Sequence, residues 1–215
     1  MNTWNKRYEW RAIALLSAGF GLVGLDRFII LPLYPAMMKD LNLNYQDLGL
    51  IASAFSIAWG VSALLTGRLS DRIGRRRTLI PAVILFSVLA GGSGLATGFL
   101  GLLAIRVLMG VSEGTYTPAS IAAAIEASKP ARRGFNLGIQ QDLYAILGLG
   151  LGPILATQLL EIVPSWRWVF PLVSLPGFVL AYAMMRTLRD TQGTLETSVG
   201  PSNNPLIGTV AKIAP

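Results

Sequence analysis

Four ionisable residues lie inside apolar stretches of this chain: Asp26 and Arg27 in the first, Arg106 and Glu113 in the fourth. Desolvating a charge in hydrocarbon is costly, so such groups usually face a water-filled cavity and mark a path for an ion or charged solute. Arg106 and Glu113 are two helical turns apart, roughly 10.5 Å along one face. Gly110 lies between them, and Thr117 extends the stripe. Counted by helical rise, Arg27 and Arg106 lie about 10 Å and about 9 Å from the same side of the membrane, so both guanidiniums can meet one anion. Electrostatics then supply a coupling step. An incoming carboxylate that takes the arginine leaves the neighbouring acid without its counter-charge, and that acid takes up a proton. Asp26 and Glu113 are thus candidate proton carriers, and Arg27 and Arg106 candidate substrate clamps. The competing use of the same four residues is a set of internal ion pairs locking the first and fourth helices.

Tyr34, Trp59, Tyr116 and Tyr144 can either line such a cavity or pack between helices; Tyr34 and Tyr116 are the candidate substrate contacts among them. Gln141 and Asp142 enter the fifth apolar stretch roughly 10 Å deep and can join an inner path or snorkel to the interface.

The elements that must hold these residues follow from composition. The chain is 53% hydrophobic and only 13% charged, with mean hydropathy +0.55, outside the soluble range and suited to a membrane. With no histidine and no cysteine, disulfides, thiol nucleophiles and the usual zinc ligand sets are excluded. There is no phosphate-cradling glycine loop with Lys-Ser/Thr, and no G-x-S-x-G turn. Neither an enzyme nor a cofactor or metal site is expected. The net charge of +7 does not signal nucleic acid, because the basic residues lie between apolar runs instead of on a soluble module.

A spanning helix needs about 20 apolar residues, and segments 12–34, 48–65, 78–96, 100–124, 135–160 and 168–185 qualify, with a turn near Thr97 and Gly98 between the third and fourth. The expected fold is an all-α membrane protein of six transmembrane helices. Basic residues gather at one end of this zigzag, while the other end holds Lys39 and Arg167; the positive-inside rule makes both termini cytoplasmic, in a cell membrane among lipids. The first apolar run is too long for a signal peptide's core and carries Asp26-Arg27, so it reads as a retained helix. Residues 1–11 then form a cytoplasmic N-terminus, 12–188 the six-helix domain, and 189–215 a flexible tail or the start of a central loop.

Between the second and third spans the chain reads Gly67-Arg68-Leu69-Ser70-Asp71-Arg72-Ile73-Gly74-Arg75-Arg76-Arg77. This resembles the G-x-L-A/S-D-R/K-x-G-R-R/K signature of the major facilitator superfamily. Arg106 to Gly110 looks like that family's fourth-helix R-x-x-x-G, and Trp166 to Phe170 like the opening of its sixth helix. Gly148 to Pro153 partly resembles the fifth-helix glycine-proline motif of antiporters, although Ala156 stands where a further glycine belongs. The resemblance implies a gating role for Gly67, Asp71, Arg72, Gly74 and Arg75, with Gly67 admitting a close helix and Asp71 pairing with an arginine or a helix N-terminus.

The resemblance covers about residues 10 to 190, one six-helix half of the family's usual two. It implies that transport needs a second half, from the missing C-terminal portion or a second copy, and the end at Pro215 favours truncation. Asp26-Arg27 with Arg106 and Glu113 further resembles the anion:cation symporter branch. That implies proton- or sodium-coupled uptake of a small organic anion. The rival readings are a proton-driven exporter of hydrophobic or cationic compounds, and a membrane sensor or assembly subunit that no longer transports.

Overall fold

A computed structural model describes residues 5–189; the tail expected from residue 190 onward lies outside the described residues. The fold within that range is entirely helical. Six segments are long and apolar enough to cross a membrane: Lys6–Leu41, Tyr45–Gly67, Arg75–Leu95, Phe99–Ala127, Pro130–Ile162 and Trp166–Thr187.

The first span is two helices, α1 (Lys6–Phe28) and α2 (Ile30–Leu41). Asn5 caps α1 by accepting from the backbone N–H of Arg7 at 2.9 Å and of Tyr8 at 3.1 Å. The break at Ile29 has a local cause: Pro32 has no N–H to bond the carbonyl four residues back, so the ladder lapses just after Arg27. The span ends at Asn42 in the left-handed conformation (φ 54°), well past the residue 34 expected from hydropathy.

α3 (Tyr45–Ile73) starts with a capping box between Asn44 and Asp47 and runs straight through the segment expected to be a loop. Only Gly74 separates it from α4 (Arg75–Gly92). Gly74 sits at φ 107°, a region open to glycine and strained for other residues, which is why one residue suffices to turn the chain. A 3₁₀ turn (Ser93–Leu95) and Gly98 lead into α5 (Phe99–Ala127), in agreement with the turn expected near Thr97 and Gly98.

The fifth span is α6 (Arg133–Ala145), a π-helical segment (Ile146–Leu151) and α7 (Gly152–Ile162). Ser165 caps the last helix, α8 (Trp166–Thr187).

Polar ties close both ends of the bundle. At one end Arg167 binds Asp40 at 2.9 Å and the carbonyls of Gly94 and Ala96 at 3.0 and 2.6 Å. At the other, Arg75 binds Glu126 at 3.0 Å, Arg76 donates to the Met185 carbonyl, and buried Glu9 accepts from Asn136 at 2.8 Å. Between them lies an apolar core that includes Leu16, Leu33, Met37, Phe86, Tyr116 and Met184. Burial is uneven: 17% of the most apolar stretch is buried in the second and fifth spans, against 44% to 67% in the others. The second and fifth spans therefore hold the smallest share of buried residues.

Candidate functional site

The site is built where α1 ends. Gly21 and Gly24 leave room for the fifth span to cross α1 at backbone distance: a Cβ on Gly24 would stand 2.5 Å from the Tyr144 carbonyl oxygen, and one on Gly148 only 2.7 Å from the Gly24 carbonyl carbon. That crossing brings the Tyr144 ring beside the last turn of α1. Arg27 there donates to the Tyr144 hydroxyl at 3.3 Å, and its guanidinium carbon lies 4.9 Å from the Phe55 ring centroid and 5.5 Å from that of Trp59.

A second close packing positions Arg106. Gly110 lets α5 lie on α3, where an added Cβ would come 2.5 Å from the Phe55 carbonyl oxygen. Arg106, 3% exposed, reaches across to α1 and donates to the backbone carbonyl of Asp26 at 3.0 Å, with Phe170 beneath its guanidinium at 5.9 Å. Arg27 and Arg106 line the same cavity of about 300 Å³, together with Tyr144, Ser56, Ile51 and Phe55. The common depth expected from helical rise is thus realised as a shared wall.

The acids stand behind the arginines. Asp26 is 5% exposed and Glu113 is fully buried, and neither lines the cavity. Arg106 stands within electrostatic reach of both acids, but no direct salt bridge joins any two of these four residues, so ion pairs, the competing reading, do not lock the first and fourth helices. The bond from Arg106 to a main-chain carbonyl does that instead. Both carboxyl oxygens of Glu113 and the Nε of Arg106 lack a hydrogen-bond partner among the described residues.

The other sequence candidates fall elsewhere. Tyr34 donates to the Asn44 carbonyl at 2.7 Å and Tyr116 to the Leu16 carbonyl at 3.1 Å; both are buried, and neither lines the cavity. Of the four aromatics, the two beside Arg27 are Tyr144 and Trp59, not the candidates Tyr34 and Tyr116, and Tyr144 is the one that lines the cavity. Only the glycine crossing selects it, and glycine spacing alone does not say which helix approaches. Gln141 and Asp142 are exposed, whereas Gln140 is buried and donates to Ser120 at 2.6 Å.

In the signature segment, Arg75 is the hub. It pairs with Asp71 one turn back, donates to Ser70 at 3.1 Å and binds Glu126 on α5. Glu126 had no signal in the sequence, being 51 residues away. Arg72 is exposed, and among the described residues no non-neighbouring atom stands within 4 Å of where a Cβ on Gly67 would be. The close approaches expected at Gly67 occur instead at Gly110 and Gly114, both against α3 backbone.

The sequence profile of the Major Facilitator Superfamily matches residues 16–212. The chain belongs to that superfamily. It is a multi-pass membrane protein of a transporter family, not an enzyme. Among superfamily relatives, it is 30% identical over 166 residues to a hexuronate transporter of Bacillus subtilis, covering 77% of this chain and 39% of that one. It is 27% identical over 161 residues to the tetracenomycin C resistance and export protein of Streptomyces glaucescens, covering 75% of this chain and 30% of the other. The fold is similar to that of a bacterial homologue of the human lysosomal transporter Spinster: TM-score 0.76 at 22% identity, over 88% of this chain and 45% of that one. The chain thus spans less than half the length of these superfamily members.

Proposed function

We propose that this chain forms one wall of a secondary transporter that takes up a small organic anion together with a proton, with both termini on the cytoplasmic side of the cell membrane. The observation that carries the reading is the pair of arginines, Arg27 and Arg106, on one cavity wall with no described carboxylate in direct contact with either. A guanidinium not neutralised by a protein acid is available for a substrate carboxylate, and two of them around one cavity give a fixed bidentate target. Phe55, Trp59 and Phe170 lie against the guanidiniums and hold them without neutralising them.

Glu113 and Asp26 are the proton carriers in this reading. A carboxylate sealed from water with no hydrogen-bond partner is expensive unless a counter-charge or a proton neutralises it. When the substrate's own carboxylate draws on the arginines' positive field, the proton takes over that role, so anion and proton load together. Tyr144 orients Arg27, and the Asp71–Arg75–Glu126 network ties the gate segment to the base of α5. A second six-helix half supplies the opposite wall, against the exposed faces of the second and fifth spans. The resemblance to a hexuronate transporter favours a sugar acid as the anion.

The test is uptake in vesicles by the transporter assembled with its second half. Glu113→Gln should abolish uptake driven by an inward proton gradient while leaving exchange of labelled for unlabelled anion running. Gradient-driven uptake with unchanged pH dependence would remove Glu113 from the coupling. The resemblance to an export protein supports a second reading, expulsion of hydrophobic or cationic compounds in exchange for protons. The two predict opposite responses to an imposed pH gradient.

A further inference from the structure

At the end of the bundle where α1 and α4 begin and α8 finishes, five arginines surround one cleft of about 480 Å³: Arg7 and Arg11 from α1, Arg76 from α4, and Arg186 and Arg189 from the end of α8. Four of the five are exposed and Arg76 is half-buried. Among the described residues no carboxylate lines the cleft, and none of the five arginines forms an ion pair with one. Glu9, the acid nearest in sequence, is buried and accepts hydrogen bonds from Asn136 and from the Lys129 backbone instead. The arginines are positioned by neutral groups. Arg76 holds the Met185 carbonyl, Arg186 donates to the Tyr182 hydroxyl at 3.0 Å, and Arg189 stacks 4.8 Å over the Tyr8 ring.

Topology alone asks for positive charge near this membrane face, but not for five cations from three helices and the residue just past α8 converging on one concavity with no acid among its described lining residues. Such a site fits a phosphate group. The starting ends of α1 and α4 add the positive poles of two helix dipoles. The cleft also has an apolar side: Met185 lines it at 39% exposure, and Tyr182, one turn further into the membrane, is 56% exposed. A free phosphate has no use for that track, whereas the acyl chains of a lipid do. We infer that this cleft binds the phosphate headgroup of an anionic phospholipid, with its chains lying along α8. The inference does not rest on the transport reading.

The purified chain in detergent is titrated with phosphatidylglycerol, phosphatidylcholine and inorganic phosphate, and bound species are resolved by native mass spectrometry. Phosphatidylglycerol should be retained selectively. Each basic side chain near an anionic surface strengthens attraction roughly fivefold, so Arg11→Gln/Arg76→Gln/Arg186→Gln should weaken retention about a hundredfold. Arg72→Gln/Arg132→Gln/Arg133→Gln, which removes the same charge elsewhere, should leave it nearly unchanged. Arg11→Gln alone, at an exposed position, guards against misfolding of the triple variant and should cost about fivefold. Equal losses in both triple variants would reduce the effect to diffuse charge, and unchanged retention in Arg11→Gln and the cleft variant would remove the site. Displacement of the lipid by millimolar inorganic phosphate would make it a free-anion site and overturn the lipid assignment.

Discussion

Arg27 is the sharpest probe of the clamp, because its direct contacts among the described residues are a 3.3 Å bond to the Tyr144 hydroxyl and stacking against Phe55 and Trp59. Arg106, by contrast, also ties α5 to the Asp26 carbonyl, so its loss mixes binding with stability. A hydrogen bond to a charged group contributes about 1.5–3 kcal/mol net, which corresponds to about a 10- to 100-fold change in affinity. Arg27→Gln should therefore weaken binding of a sugar acid by about that factor, while Arg27→Lys, keeping charge but losing the planar fork, should fall between. Trp59 supplies the readout, since its ring lies 5.5 Å from the Arg27 guanidinium and its fluorescence should respond when an anion draws that group away. A Trp59→Phe chain identifies the signal against the other four of the five tryptophans. The reasoning is refuted if Arg27→Gln titrates with the same midpoint as the parent, or if the parent shows no Trp59 response to carboxylates while responding to their uncharged alcohols.

Three further outcomes follow from the packing. Tyr144→Phe keeps both guanidiniums and removes only the 3.3 Å bond that orients Arg27, so it should weaken anion binding less than Arg27→Gln does in the same fluorescence titration. Arg75→Gln should lower the thermal midpoint of the chain in detergent much more than Asp71→Asn: it strands Glu126, whose second oxygen is already buried without a partner, as breaking a buried pair costs about 3–5 kcal/mol, whereas the Asp71 side chain is 60% exposed and an exposed pair contributes at most about 1 kcal/mol. Gly110→Ala should cost about 1–3 kcal/mol of stability by overpacking, because its new methyl would meet the Phe55 carbonyl at 2.5 Å; Gly101→Ala on the same helix, with open space around it, serves as the neutral control in the same melt.

Some of this arrangement was legible in the sequence and some was not, for physical reasons. Hydropathy located all six spans because the absence of water in hydrocarbon leaves a helix as the only economical form for each apolar run. It misjudged their ends because helices continue into the interface wherever caps and helix formers allow, as α3 does through Asp71 to Ile73. The arginines were found because a charge in an apolar run is conspicuous on its own. Their partners were not, because a partner is a property of which helices touch. Glu126 meets Arg75, and Tyr144 meets Arg27, across chain separations of 51 and 117 residues.

The same contrast explains why these four residues form no direct salt bridge although Arg27 and Arg106 share a cavity wall. Adjacent residues on a helix point about 100° apart, so Asp26 and Arg27 face different surroundings: Asp26 turns into the bundle and Arg27 toward the cavity. Arg106 then finds the carbonyl of residue 26 instead of its carboxyl. A main-chain carbonyl is a neutral partner, so it orients the guanidinium without neutralising it. Two arginines fixed by neutral groups, with two acids close behind them, form one electrostatic unit of which only the arginines line the cavity. If the wall binds an anion as proposed, its affinity depends on the charge carried by Asp26 and Glu113. A substitution that neutralises either acid should therefore change anion affinity even though neither acid lines the cavity. Unchanged anion affinity in both Asp26→Asn and Glu113→Gln would show that the two layers do not communicate.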